Sequence, residues 1–224
     1  MQSTPIFLTL YSDYIHVYLG LCSYSGLLDH AVMLPKDASR ELIPALDNLL
    51  TKHSKTLNDC DFFAACQGPA PFTTLRVALA TINGLAIATD KPLIGIDGLR
   101  VFLEEHYSPE HEYTIALLNA FAQDVYYGVY KKNSGFIEAG CLPIEKCLHH
   151  LQQLTNNAPF SLIGNGVALH QALIQATLPT CHISESLPLY ASFAAICTAA
   201  QQQWQERDNL HQQLLPLYLK NLSI

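Results

Sequence analysis

Charge is scarce in this sequence. Lys, Arg, Asp and Glu make up 14% of its 224 residues, 12 basic against 19 acidic, for a formal net charge of −7. Duplex nucleic acid is held through a dense Lys/Arg field on its phosphates, so a chain this poor in basic residues is excluded as a duplex binder on its own account. Metal-ligand spacings are missing too. The seven cysteines (Cys22, Cys60, Cys66, Cys141, Cys147, Cys181, Cys197) contain no C-x-x-C pair, and the ten histidines contain no H-E-x-x-H or H-x-x-x-H arrangement that would set two rings on one helical face. No metal ligand is expected. The odd, scattered cysteine set with apolar neighbours reads as reduced, buried thiols of a cytoplasmic protein, and Cys60 and Cys66 read as core thiols rather than a redox pair. Long apolar runs are also lacking. The least polar stretch, 77–88, is interrupted by Thr81, Asn83 and Gly84 and is shorter than the roughly 20 residues that cross a bilayer. Residues 1–5 offer no basic segment, so neither a membrane span nor a secretory signal is expected.

What is present in excess is apolar surface. Half the residues are hydrophobic, enough to fill a core and leave apolar patches outside, which predicts a protein partner. Ile6, Leu8 and Leu10, the turn pair Ser12-Asp13, and Ile15, Val17 and Leu19 alternate as a hairpin, with a third strand over 27–34. Leu42, Leu46, Leu49 and Leu50 mark a helix that Pro44 bends or opens. A buried strand (62–66), the strongest helix (73–89), a strand (92–96) and a helix (98–106) follow. The polar segment 108–112 is the expected boundary, after which the pattern restarts. Strands are predicted over 113–118, 125–131 and 135–141, then a helix (144–154), a strand (160–163) and helices over 167–176 and 190–207. Two successive blocks of meander, helix and strand indicate a duplicated α/β unit.

The chemistry-bearing segment is Gln67-Gly68-Pro69-Ala70-Pro71-Phe72-Thr73-Thr74-Leu75-Arg76, which leaves a buried strand, turns and opens a helix. Two readings stand side by side: a turn with a helix start whose free amides need acceptors, or an anion cradle at a helix N-terminus. The stretch Gly68 to Gly98 resembles the G-P-G-S-F-T-G-L-R signature, with its following A-K-G-L and P-L-x-G, of the bacterial TsaB (YeaZ) family. Further collinear matches are Leu118-Asn119-Ala120 with Asp124-Val125-Tyr126, Gly164-Asn165-Gly166, and the terminal Leu215-Pro216-Leu217-Tyr218-Leu219-Lys220.

The resemblance implies an α/β, actin-like (ASKHA, ribonuclease H-like) fold with two similar lobes, each a mixed sheet flanked by helices. The lobes would span 1–107, completed by the helix 190–207, and 108–224. It also implies a non-catalytic subunit that binds and stabilises a TsaD-like transferase in tRNA threonylcarbamoyladenosine synthesis. A TsaE-like ATPase would cycle on the complex, tRNA would be held only through it, and no cofactor or catalytic residue is assigned. Partner-binding residues are expected on the two helices near 38–53 and 73–89: Ile43, Asp47 and Leu50 on the first, Leu75, Ala78, Ile82 and Leu85 on the second. Gly68, Thr73 and Arg76 are the candidate nucleotide contacts. Departures from the family pattern bear on catalysis. Tyr11 stands where the family's first hairpin places a carboxylate, Ala70-Pro71 and Thr74 replace Gly-Ser and Gly, and Asn83 replaces Lys. Pro71 lacks an N–H and Thr74 adds a side chain, both against a backbone nest for phosphate. The competing readings are a small actin-like ATPase, kinase or glycoprotease-like enzyme acting alone, in which Asp97 or Asp124 would be the acid, and a homodimer of the isolated chain.

Overall fold

In the computed structural model, which describes residues 5–208 and 210–219, strands β1 (Ile6–Ser12), β2 (Val17–Ser23) and β3 (Gly26–Met33) form an antiparallel meander. The Asp13 carboxylate closes its first turn by accepting from the amides of Ile15 and His16, each at 2.6 Å. After α1 (Ala38–Lys52) and a 3-10 turn (Leu57–Asp59), β4 (Phe62–Cys66) returns parallel to β1, and after α2 (Phe72–Thr89), β5 (Leu93–Ile96) lies parallel to β4. Helix α3 (Gly98–His106) leads to a second meander, β6 (Tyr113–Asn119), β7 (Asp124–Lys131) and β8 (Gly135–Pro143). Helix α4 (Ile144–Leu154), β9 (Ser161–Ile163), α5 (Asn165–Leu169), α6 (Gln171–Thr177), β10 (His182–Ile183), α7 (Phe193–Glu206) and β11 (Leu210–His211) complete the order.

Among the described residues the chain divides into two compact units, one of residues up to Gly98 with Ser192–Leu217, the other of Leu99–Ala191 with Tyr218 and its neighbour. Their sheets run β11-β5-β4-β1-β2-β3 and β10-β9-β6-β7-β8. Apart from the added β11, the two orders are one topology used twice. The division falls at Gly98/Leu99 rather than at 107/108. The reason is α3: Leu99 and Leu103 press on the Gly128 backbone, where a β-carbon would come within 2.9 Å of each, so α3 belongs with the second sheet. The single helix expected over 167–176 is two, broken at His170, whose φ of −114° and ψ of 21° leave the helical region. Pro44 sits inside α1 on its exposed side rather than at its start. Met1–Thr4 and Lys220 lie outside the described residues.

In the first unit, period-2 alternation sends Leu8, Leu10, Leu19, Leu21, Phe63 and Ala65 to one face, where they meet Leu42, Leu46, Leu49 of α1 and Leu75, Leu79, Ile82 of α2. The opposite face takes α7. Phe62 stacks on Trp204 at 4.5 Å between ring centroids, and Tyr18 on Phe193 at 5.1 Å. Gly20 permits that approach, since a β-carbon there would lie 2.6 Å from the Phe193 ring. In the second unit Ile115, Leu117, Val125 and Val129 pack on Leu148 and Leu151 of α4 and Val167 and Ile174 beyond it.

At the sheet edge β3 is clipped to α1. Asp29 pairs with Lys52 Nζ at 2.7 Å and His53 Nε2 at 2.9 Å, and accepts from the His30 amide at 2.9 Å. Lys52 first, then His53, hold its carboxyl well below the usual range. A carboxyl depressed in the folded state contributes stability above its unfolded pKa of about 3.9 and loses it as pH falls toward the folded value. The unfolding midpoint of Asp29→Asn is therefore expected to lie below that of the unaltered chain near neutral pH, and the two to converge progressively as pH drops below about 4. Parallel midpoints across that range, followed by thermal circular dichroism, would remove the clip from the stability of this edge.

Candidate partner-binding site

Helix α2 starts where β4 runs out. Gly68 turns the chain at φ +114°, a conformation that side-chain-bearing residues rarely adopt, and its carbonyl accepts from the Gly98 amide at 2.9 Å. Pro71 precedes the first helical residue, and no side chain caps this end. Thr74 turns inward and is buried, whereas Thr73 and Arg76 are exposed on the first turn. The Arg76 guanidinium lies 3.7 Å over the Phe72 ring, a cation–π arrangement. Of the three candidate nucleotide contacts, Thr73 and Arg76 thus share a surface, while Gly68 is buried with its carbonyl committed within its own unit.

The remaining motifs meet in two groups. Asn83, on α2, holds Leu214 from both sides: its Nδ2 donates to the Leu214 carbonyl at 2.9 Å and its Oδ1 accepts the Leu214 amide at 2.8 Å. Gln67 holds the terminal motif as well, its side-chain Nε2 donating to the Leu215 carbonyl at 2.7 Å and its backbone carbonyl accepting from the Leu217 amide at 3.0 Å. The residue that replaces the family's Lys therefore anchors a strap whose Leu214 is 1% exposed in the core. In the second unit the Asn165 side chain accepts from the Asn119 amide at 2.9 Å, joining the Gly164-Asn165-Gly166 turn to the end of β6. Gly164, at φ +106°, allows this because a β-carbon there would overlap the Leu117 carbonyl.

Tyr11 is buried and stacks with Tyr18 at 5.8 Å and with Phe193 at 6.5 Å. Asp13, the nearest carboxylate along the chain, is spent on the hairpin turn. Asp97 immediately precedes α3 and Asp124 opens β7. Among the described residues no three His, Cys, Asp or Glu side chains converge as a metal site would require.

Between α1 and the C-terminal half of α2 lies a groove of about 640 Å³. Ile43 and Asp47 form its rim with Lys55, Leu46 and Leu50 its floor, and Leu85 and Ala88 the far wall. Four of the seven residues expected to bind a partner (Ile43, Asp47, Leu50, Leu85) thus line one groove. The placement of Leu75, Ala78 and Ile82 is corrected: at 6%, 2% and 0% exposure they are core. Leu50, at 7%, belongs to the core as well and offers only the groove floor. The helical period explains this. Leu75, Ala78, Leu79, Ile82 and Ala86 follow i, i+3, i+4 spacing toward the sheet, which turns Thr73, Ala80, Gly84, Ile87 and Ala88 outward. Ile87, missed from the sequence, is 80% exposed and Ile43 56%. The outward ridge was obscured because α2 is apolar on nearly every side, and only the phase set by Leu79 and Ile82 separates its two faces.

By length and composition α2 is also apolar enough to cross a membrane. Its inward side chains are accounted for by the core shared with β1, β4 and α1, and Asn83 ties it to the strap.

Residues 33–221 match the family model described as TsaD: tRNA N6-adenosine threonylcarbamoyltransferase. The chain belongs to that family, in its TsaB (YeaZ) group. It is 42% identical over 81 residues to a tRNA N6-adenosine threonylcarbamoyltransferase of Solidesulfovibrio magneticus, covering 33% of this chain and 22% of the relative. It is 25% identical over 198 residues to the tRNA threonylcarbamoyladenosine biosynthesis protein TsaB of Haemophilus influenzae, covering 82% and 80%. The chain spans less than half the length of the first curated relatives it matches, 22% and 48%. A crystal structure of a protein similar to peptidase YEAZ from Pseudomonas aeruginosa superposes with a TM-score of 0.74 at 20% identity, over 96% of this chain and all of that one. The fold is the two-sheet α/β class that the sequence resemblance implied.

Proposed function

We propose that this chain serves tRNA threonylcarbamoyladenosine synthesis as a cytoplasmic, non-catalytic subunit that binds and stabilises a TsaD-type transferase. The observation that carries the reading is the outward face of α2. Ala80, Gly84 and Ala88 are small and let a partner helix come close, Ile87 supplies an apolar knob, and the groove toward α1 supplies a hole. A stable contact of ordinary size buries about 800 Å² per partner, which a pair of exposed helix faces can provide. Two matches support a transferase partner: the chain fits the transferase family model, and it aligns over 82% of its length with a TsaB protein. Against independent catalysis stand the Tyr11 stack at the family's carboxylate position and the commitment of Gly68 and Asp13 to the chain's own backbone. A TsaE-type ATPase would act on the assembled pair, and tRNA, repelled by a net charge of −7, would be held through the transferase.

The test is the mass of the purified chain, alone and mixed with the cognate transferase, followed by light scattering, with ATP turnover of the isolated chain measured alongside. A heterodimer and background turnover are expected. Failure to associate would overturn the partner reading, and turnover abolished by Arg76→Ala would favour the lone enzyme. A homodimer that dissociates when the transferase is added would mean that one face serves both contacts.

A further inference from the structure

We infer that Asp29 guards an open sheet edge: by holding the His30 amide it keeps β3 from pairing, antiparallel, with β3 of a second copy of this chain. This goes beyond the partner role and is independent of it. In the order β11-β5-β4-β1-β2-β3 the eight-residue β3 is outermost, about 26 Å long at 3.3 Å per residue. Among the described residues no strand pairs with its outer side. Such an edge presents a row of main-chain donors and acceptors that another strand can take up. Its side chains invite this, since Leu27, Leu28 and Val32 are exposed, with Leu34 just past the end of the strand.

The main chain of β3 alternates between two sides. Asp29, Ala31 and Met33 lie opposite Leu21, Leu19 and Val17 of β2. In an antiparallel ladder the positions between hydrogen-bonded pairs turn their amides and carbonyls away from the neighbouring strand. His30 is such a position, because its amide is given to a carboxylate rather than to β2: Asp29 Oδ1 accepts it at 2.9 Å. Val32, two residues on, faces the same way. The carboxylate is fixed in place by its other oxygen. Oδ2 meets Lys52 Nζ at 2.7 Å and His53 Nε2 at 2.9 Å, at the last residue of α1 and the one after it. One oxygen anchors to the helix, and the other closes the outward donor at the middle of the edge.

A second copy is the occupant because the strand is complementary to itself. An antiparallel pair centred on His30, with a two-fold axis through it, sets residue 28 against 32 and residue 29 against 31. Each Leu28 then meets a Val32 and each Asp29 an Ala31, an arrangement with apolar cross-strand pairs and no like charges opposed. Leu28 is available for this, since the register shift between Leu21 and Cys22 leaves it without a facing residue on β2. The central contact is His30 on His30. Its two main-chain hydrogen bonds need the very amide that Asp29 occupies in each copy, so one side chain removes both.

The experiment measures the mass of the full chain by light scattering at about 100 µM, where even a contact of modest affinity is populated. Ile43→Glu and Ile87→Glu are present throughout, so that the outer face of α1 and α2 does not contribute. The guarded chain is expected to keep the mass of one copy, and Asp29→Ala, checked for native circular dichroism, to double it. Adding Val32→Lys, a charge of the kind that blunts an edge strand, should return the mass to one copy. Hydrogen exchange needs no variant at residue 29: in the guarded chain the His30 amide should exchange about tenfold or more slowly than the Val32 amide. An Asp29→Ala chain that keeps the mass of one copy, a doubled mass that Val32→Lys leaves in place, or equal exchange at His30 and Val32 would overturn the inference, whatever the result of the transferase-binding test.

Discussion

Replacing Ala78 with arginine is expected to abolish cooperative folding. Ala78 is 2% exposed on the sheet-facing side of α2, so the substitution must house a long side chain in a close-packed site and bury its charge without a partner. Overpacking costs about 1–3 kcal/mol and an unpaired buried charge several more, against a total stability of about 5–15 kcal/mol for an ordinary domain. The control is Ala80→Arg on the same helix, whose site faces outward. It should retain native circular dichroism and a single melting transition close to that of the unaltered chain. An Ala78→Arg chain that melts normally would mean that α2 sits in a different phase.

The complementary prediction concerns the outer face. Ile43→Glu combined with Ile87→Glu places one carboxylate on the rim of the α1/α2 groove and the other on the outward side of α2 beyond it, at sites 56% and 80% exposed. Little packing is lost within the chain, so the melting midpoint should move by no more than about 2 °C. Binding to the transferase should fall about 100-fold or more, since desolvating a carboxylate against an apolar partner costs at least the roughly 2 kcal/mol that marks a central interface residue. Titration calorimetry reads this directly. Unchanged affinity would move the interface off this face. Asp47→Lys on the rim should have the smaller effect, mainly on association rate and its salt dependence. Leu50→Glu is unsuitable as a binding probe because it would strike the core.

The strand meanders and the repeated topology were legible because period-2 alternation and turn residues such as Ser12-Asp13 report on neighbours close in sequence. An unbroken apolar run bounded by Asp59-Cys60-Asp61 and Gly68-Pro69 marks β4 as Phe62–Cys66. Tertiary phase was less legible. In α1 the leucines at 42, 46 and 49 announce the inward side, so Ile43 and Asp47 could be placed on its outside. In α2 leucine, alanine and isoleucine surround the axis, so composition does not separate Ala78 from Ala80 and only the sheet decides. β10 and β11 have two residues each, too few for any period. Asn83 was legible as a departure from a family pattern but not as an anchor, because its partner Leu214 is remote in sequence and the bonds use Leu214's backbone, which no side-chain pattern reveals.

The strap has a consequence for how the protein comes into being. The first unit draws α7 and Leu214 from the far end of the chain, so during synthesis its sheet must wait with one face uncovered and an unfilled slot beside Asn83. The stretch Leu99–Ala191 carries its own sheet and core cluster in continuous sequence and can close while the rest is still being translated. The unit that begins first is therefore finished last. Stalled or prematurely terminated chains would present Phe7, Phe62 and Tyr18 to solvent, making them natural clients for chaperones until residue 214 has left the ribosome.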